Sequence, residues 1–243
     1  MRRGSVCAVI AVYADALDSI DTYRLDPSAR LVLVTGAVAL VAVVVDVVWL
    51  RARHVVTIVH EGGHALVALL TGRRLTGIKL HSNTSGLTLS VGKPRGPGMV
   101  ATAFAGYVSP ALVGLIGVVL LAFEQVTVML WAATVVLVLM LVMVRNAYGA
   151  LALVVTGAVV VGVSFFTEPE VQAAFAYGMT WFLLLGSVRP INELRRQRRR
   201  QPGAPTDADT LARLTRLPGS AWVVVFGLIN LAALAGGGYL LLT

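Results

Sequence analysis

Apolar residues run almost unbroken through seven stretches of the chain, at 31–50, 54–71, 98–122, 126–144, 147–166, 171–188 and 221–242. Each comes close to the about 20 residues that a helix needs to cross a hydrocarbon core of about 30 Å. The polar segments between them are short, which leaves no room for a large soluble domain. The pattern predicts an all-α polytopic membrane protein of about seven transmembrane helices, with residues 31–243 as one membrane-embedded domain. Residues 1–30 break the pattern with Arg2, Arg3, Asp15, Asp18, Asp21 and Asp26. They read as a cytoplasmic N-terminal arm, the other interpretation being a cleaved signal peptide with its apolar core at 6–14.

One interval changes period. Between the second and third stretches, residues 77–91 read GIKLHSNTSGLTLSV. Ile78 and Leu80 alternate with polar neighbours, as do Leu87, Leu89 and Val91, around the turn-forming run Asn83-Thr84-Ser85-Gly86. That is the pattern of a β-hairpin, here a small one beside the membrane.

Composition supports the membrane assignment. The 243 residues are 57% hydrophobic and 13% charged, against about 45–50% apolar in soluble domains. A single cysteine, Cys7, excludes an intramolecular disulfide framework and any cysteine-built metal cluster. The net charge of +8 bears on orientation, because cytoplasmic loops collect Lys and Arg. With seven crossings, 18 of the 20 basic residues fall on one side, in the N-terminal arm, the hairpin loop, Arg145 and the basic loop 189–220. Only Arg51 and Arg53 fall on the other, with Glu124, Glu168 and Glu170. The count predicts a cytoplasmic N-terminus and an external C-terminus. The basic run Arg195-Arg196-Gln197-Arg198-Arg199-Arg200 carries no interleaved aromatics and lies against the bilayer. Anionic lipid, at about 1 kcal/mol per basic side chain, is its expected partner, and nucleic acid is not.

The second apolar stretch contains what a membrane disfavours: His60, Glu61 and His64, in the sequence HEGGH. Ionisable residues inside spans cost at least about 2.5–3.5 kcal/mol each and mark function by default. On a helix, positions i and i+4 share a face, so two imidazoles can meet one zinc ion while the intervening glutamate stands beside the metal's water. Two histidines and a glutamate satisfied by neighbouring helices would be the plainer explanation, but a chance HExxH in this composition is on the order of one in a thousand. Gly62 and Gly63 cost about 1 kcal/mol each in helix propensity relative to alanine. Their small size would let a neighbouring helix or a substrate strand approach the metal.

The stretch Thr57–Arg74, TIVHEGGHALVALLTGRR, resembles the site-2 protease class of intramembrane zinc metalloproteases, and within it the short bacterial membrane peptidases of the same clan. The likeness continues through the hairpin, through Gly106-Tyr107-Val108-Ser109-Pro110, Arg145-Asn146-Ala147-Tyr148-Gly149 and Asp207-Ala208-Asp209-Thr210-Leu211. It implies His60 and His64 as zinc ligands and Glu61 as general base, activating the attacking water and returning its proton to the leaving amine. Catalytic zinc has three protein ligands and one open position, so a third ligand must be found. In most of the class it is an aspartate shortly after an asparagine in a later span. Here Asn146 is followed by no aspartate until Asp207.

Two choices stay open for that ligand, Asp207 first and Asp209 as the alternative, where the short-form relatives place a Ser-Asp-Ala type motif. Either aspartate would equally serve as the N-cap of a helix over Thr210–Leu217. Asp46 reads as an ion-pair partner of Arg51 or Arg53. Asn146 is a candidate for binding substrate backbone or the oxyanion, with a helix-start role as the alternative. His81 reads as a surface histidine and His54 as interfacial. The hairpin reads either as a cap on the membrane surface or as an edge strand that receives extended substrate.

These residues together point to a zinc-dependent intramembrane endopeptidase in a bacterial cytoplasmic membrane, cutting the transmembrane segments of other proteins near the cytoplasmic side. One rival is a catalytically inactive zinc-binding protein that only binds transmembrane partners. A transporter built on buried His and Glu is another, though the chain lacks the internal symmetry and paired broken helices of that class.

Overall fold

The computed structural model describes residues 27–201 and 205–243. The N-terminal arm up to residue 26, with Cys7 and the signal-peptide alternative, lies outside the described residues. Eight helices and one hairpin follow in order: α1 (Pro27–Val44), α2 (Asp46–Leu70), β1 (Arg74–Leu80), β2 (Gly86–Val91), α3 (Pro97–Ala122), α4 (Val126–Met143), α5 (Ala147–Phe166), α6 (Pro169–Arg200), α7 (Asp207–Leu214) and α8 (Gly219–Leu242). The protein is an integral membrane protein, predominantly helical, with a small antiparallel sheet.

The structure does not bear out seven separate crossings. Among the described residues five helices, α3, α4, α5, α6 and α8, are long and apolar enough to span a membrane alone. The first two predicted spans are instead a bent pair, turning by 103° between α1 and α2, for a sixth crossing at most. The bend has a chemical cause. α2 carries Asp46, Arg51, Arg53, His54, His60, Glu61 and His64 within 25 residues, too much charge for a plain span. Val45 leaves the helical region at φ −77, ψ 114.

Side chains from α6 secure the bend. Arg189 donates to the carbonyls of Val43 and Val44, which end α1, and to the carboxylate of Asp46. Asp46 therefore pairs with Arg189 and not with Arg51 or Arg53. Glu193 accepts from the Trp49 indole at 2.9 Å and pairs with Arg53 at 2.8 Å. The Arg189 guanidinium lies over the Trp49 ring, 5.0 Å from its centre, a cation–π contact.

Contacts along the helices give their directions. A Cβ on Gly36 would meet Trp181 while Val43 meets Arg189, so α1 and α6 run parallel. His64 meets Thr102 and Gly98 faces Thr71, so α2 and α3 run antiparallel. α8 runs parallel to α3, with Phe226 against Phe104 and the Asn230 amide donating to the carbonyls of Tyr107 and Ser187, both at 3.0 Å. The start of α1 and the end of α8 thus share one end of the bundle. The other end holds the hairpin, Arg53, Arg189 and the basic end of α6. Arg51 and Arg53 do not stand opposite the basic loop, and the count that put the N-terminus beside it loses its basis.

α4 and α5 pack mainly on each other, with lighter contacts to β1, α3 and α6, leaving a broad apolar surface that includes Val135, Leu139, Val154 and Val159. Lipid is the expected neighbour of such a surface. The predicted hairpin is present, extended back to Arg74, with Leu80 opposite Gly86. Its turn closes through His81 N–H to Ser85 O and Thr84 N–H to His81 O, with Thr84 at φ 66. The outer edge of β1 is taken: the Arg145 N–H donates to Ile78 O, and Val144 forms a parallel bridge to Ile78.

A reporter placed just ahead of Pro27 and one placed after Thr243 should be accessible from the same side of the membrane, with one in the 201–206 connection accessible from the other. Cysteine-accessibility labelling checks this. An N-terminal reporter that labels with the 201–206 connection would mean that α1 and α2 cross separately.

Candidate metal and active site

The site begins with the helical spacing of HEGGH. One turn of α2 puts the His60 and His64 rings on one face, edge to face at 4.7 Å between centroids, with their Nε2 atoms 3.1 Å apart. The Asp207 carboxylate, from the first turn of α7, completes a triangle: its Oδ2 lies 3.2 Å from each Nε2. Three ligand atoms at about 2.0–2.1 Å around tetrahedral zinc stand about 3.3 Å apart, so the donor set and its spacing both fit that ion. The three residues form the group able to hold a metal among the described residues.

The surroundings prepare the donors. His64 Nδ1 lies 2.7 Å from the Thr102 carbonyl, which only accepts, so Nδ1 carries the proton and Nε2 presents its lone pair to the triangle. The edge of His60 meets the ring of Tyr107 at 4.8 Å, and Tyr107 in turn stacks on Phe226.

Absent side chains matter as much as present ones. A Cβ on Gly106 would come within 2.6 Å of His60 Nε2 and closer still to His64. A Cβ on Gly63 would collide with Ser109 and approach the Ala105 carbonyl to 3.2 Å. The small residues therefore serve the approach of α3 to α2. Pro110 has no N–H for the Gly106 carbonyl one turn before it, so α3 loses a helical hydrogen bond beside the two rings.

Glu61, only 4% exposed, is held from the hairpin. The Thr88 hydroxyl donates to Glu61 Oε2 at 2.6 Å, and Gly86 lies against the carboxylate so closely that a Cβ there would overlap it. Thr57 donates to the Thr84 carbonyl at 3.0 Å, tying the turn to α2. His60, Glu61, His64 and Asp207 line one cavity of about 610 Å³ together with Gly86, Leu87, Thr88 and Ser90 of β2. β1 faces away from it.

Asp209 is not part of the triangle. Slight burial works against its charge, but the Thr206 hydroxyl at 2.5 Å and Arg198 at 2.7 and 3.0 Å hold it below its ordinary range. Its own backbone N–H is capped by Thr206, so neither aspartate is the N-cap. Ala208 and Leu211 bury the other face of α7 against α3 and α8. The pair Arg198–Asp209 thus seats the helix that presents Asp207.

Asn146 is likewise elsewhere. Its amide donates to Leu80 O at 2.6 Å and accepts from Leu80 N–H at 3.1 Å, as a neighbouring strand residue would. With both ends engaged on β1 and no place in the cavity wall, it braces the hairpin. His81 is exposed beside Ser85, and His54 sits 3.1 Å from the Tyr148 hydroxyl. Both stand apart from the triangle. The parts that Thr102, Thr88, Gly86, Tyr107 and Arg198 play here were not legible in the sequence, since each acts through a contact distant along the chain.

A two-histidine, one-carboxylate triangle beside a buried glutamate in membrane helices defines a class, and sequence comparison agrees with it. The model of the Peptidase M50B-like family matches residues 33–237, and the chain belongs to that family, within the site-2 protease class. No curated protein and no solved structure gives a significant match.

Asp207→Ala should weaken zinc binding by more than the about 10–100-fold that outer-shell partners contribute, whereas Asp209→Asn should stay within that range. Competition with a chromogenic chelator measures both, and equal losses would contradict the assignment. Gly106→Ala should lower both zinc content and stability, the latter by about 1–3 kcal/mol through overpacking.

Proposed function

We propose that the protein is a zinc-dependent intramembrane endopeptidase that hydrolyses peptide bonds in the transmembrane segments of other membrane proteins, in a bacterial cytoplasmic membrane, with its hairpin and basic end facing the cytoplasm. The observation that carries this reading is the triangle of His60 Nε2, His64 Nε2 and Asp207 Oδ2 in the same cavity as Glu61. A zinc ion held by those three donors would supply a Lewis acid for the scissile carbonyl and lower the pKa of a water toward about 7.

Glu61 would serve as the general base that takes a proton from the attacking water and as the acid that returns it to the departing amine. Its burial keeps the carboxylate short of competing solvent, and the Thr88 hydroxyl fixes Oε2 while Oε1 lies beside Gly86. His64 keeps a single tautomer through Thr102, so the donor face does not turn over between cycles.

Substrate geometry follows from the hairpin. A helical segment hides its peptide bonds, so it must be extended before cleavage. The outer edge of β1 is occupied by Val144, Arg145 and Asn146, while β2 borders the cavity. An extended segment adding to β2 would run past Glu61, its backbone held by main-chain hydrogen bonds independent of its sequence. Basic residues at this end of the bundle support the cytoplasmic assignment of the site.

Glu61→Gln should retain about one zinc per chain and cut a model transmembrane substrate about 10²–10⁴-fold more slowly. His60→Ala with His64→Ala should lose both metal and cleavage. A wild-type protein that binds zinc and cleaves no transmembrane segment, with Glu61→Gln behaving identically, would favour the inactive zinc-binding alternative.

A further inference from the structure

A second cavity, of about 310 Å³, lies between the end of α6 and the start of α8, lined by Arg195, Arg198, Arg199, Ser220, Val223 and Val224. We propose that it is a binding site for a phosphate-bearing anion, of the kind carried by an anionic phospholipid headgroup or by free phosphate.

Three observations converge on it. Arg195 and Arg199 stand one turn apart on the same face of α6, where like charges at i and i+4 repel, and neither forms an ion pair among the described residues. Arg198 already donates to Asp209 at 2.7 Å, and the Glu193 carboxylate is spent on Arg53 and Trp49. The carboxylates beside this end of α6 therefore leave two guanidinium groups to be neutralised from outside. Guanidinium forks match phosphate oxygens in geometry as well as charge.

The opposite wall adds a polar residue of its own. α8 begins behind Pro218 with no side-chain cap, and Ser220 in its first turn lines the same space. Val223 and Val224 continue the wall along the apolar helix, with Val224 53% exposed. A polar floor of arginines that passes into an exposed apolar wall has the profile of a phosphate with an acyl chain attached. Arg198 faces both this cavity and Asp209, so a bound anion would sit directly behind the pair that seats α7.

The full-length protein, reconstituted in nanodiscs of phosphatidylcholine alone or with phosphatidylglycerol, tests the site by thermal unfolding, with inorganic phosphate added in detergent as the second arm. Phosphatidylglycerol should raise the Tm of the wild type by about 2–4 °C, and Arg195→Gln with Arg199→Gln should abolish the rise. Arg196→Gln with Arg200→Gln removes equal charge from the same helix end outside the cavity and should preserve it. A rise with lipid and not with inorganic phosphate identifies a headgroup; a rise with inorganic phosphate that the Arg195/Arg199 variant also loses identifies free phosphate as a ligand. Lysine at both positions should keep part of the effect, which covers the case in which the glutamine variant fails to fold. No rise in either arm, or equal loss in the two glutamine variants, would overturn the proposal.

Discussion

Everything at the site depends on how closely α3 can lie against α2. Two imidazoles one helical turn apart create a strong demand for a third donor and for partners to orient them, and both must come from other parts of the chain. Gly63 and Gly106 remove the side chains that would hold the helices apart. Once they touch, Thr102 reaches His64 Nδ1 and Tyr107 packs on His60. Burying a His-Glu-His turn is costly in lipid, and this contact is what supplies the compensating hydrogen bonds and exclusion of solvent.

The third donor arrives by a different route. α7 is only eight residues long, too short to be stable alone, and its position rests on tertiary anchors. Ala208 and Leu211 fill a site between α3 and α8, Thr206 caps the first turn, and Arg198 grips Asp209. The two aspartates of one short motif thereby take opposite duties: one points into the triangle, and the other holds the helix that aims it. Likewise Glu61 depends on the hairpin through Thr88 and Gly86, and the hairpin depends on Asn146. The site is an assembly of three separately placed pieces around a single turn of α2.

Much of this was legible along the chain because it is local. Helical spacing alone puts His60 and His64 on one face, and alternation alone marks the hairpin. Length and hydropathy located the helices to within a few residues, except at the first bend and at the end of α6, which runs past 188 to Arg200 through what reads as a basic loop. At the bend, continuous apolar character over 31–50 suggested one span, while the structure breaks the helix at Val45 and sends Asp46, Arg51 and Arg53 into the next. The break depends on Arg189 and Glu193, more than 140 residues away, and no periodicity records it. The crossing count rested on taking α1 and α2 as two passages, and the charge count that oriented the N-terminus used the same assumption.

The amino-acid sequence by itself determined the solvent, the helices, the hairpin and the paired imidazoles with their neighbouring glutamate, since each follows from composition or from contacts within a few residues. Tertiary structure alone brought Asp207 and not Asp209 beside the two imidazoles, engaged Asn146 on β1, and bent α1 against α2. The physical reason is common to all three. A carboxylate or an amide is given its role by what stands within about 3 Å of it, and for these side chains those atoms come from residues that only folding brings near.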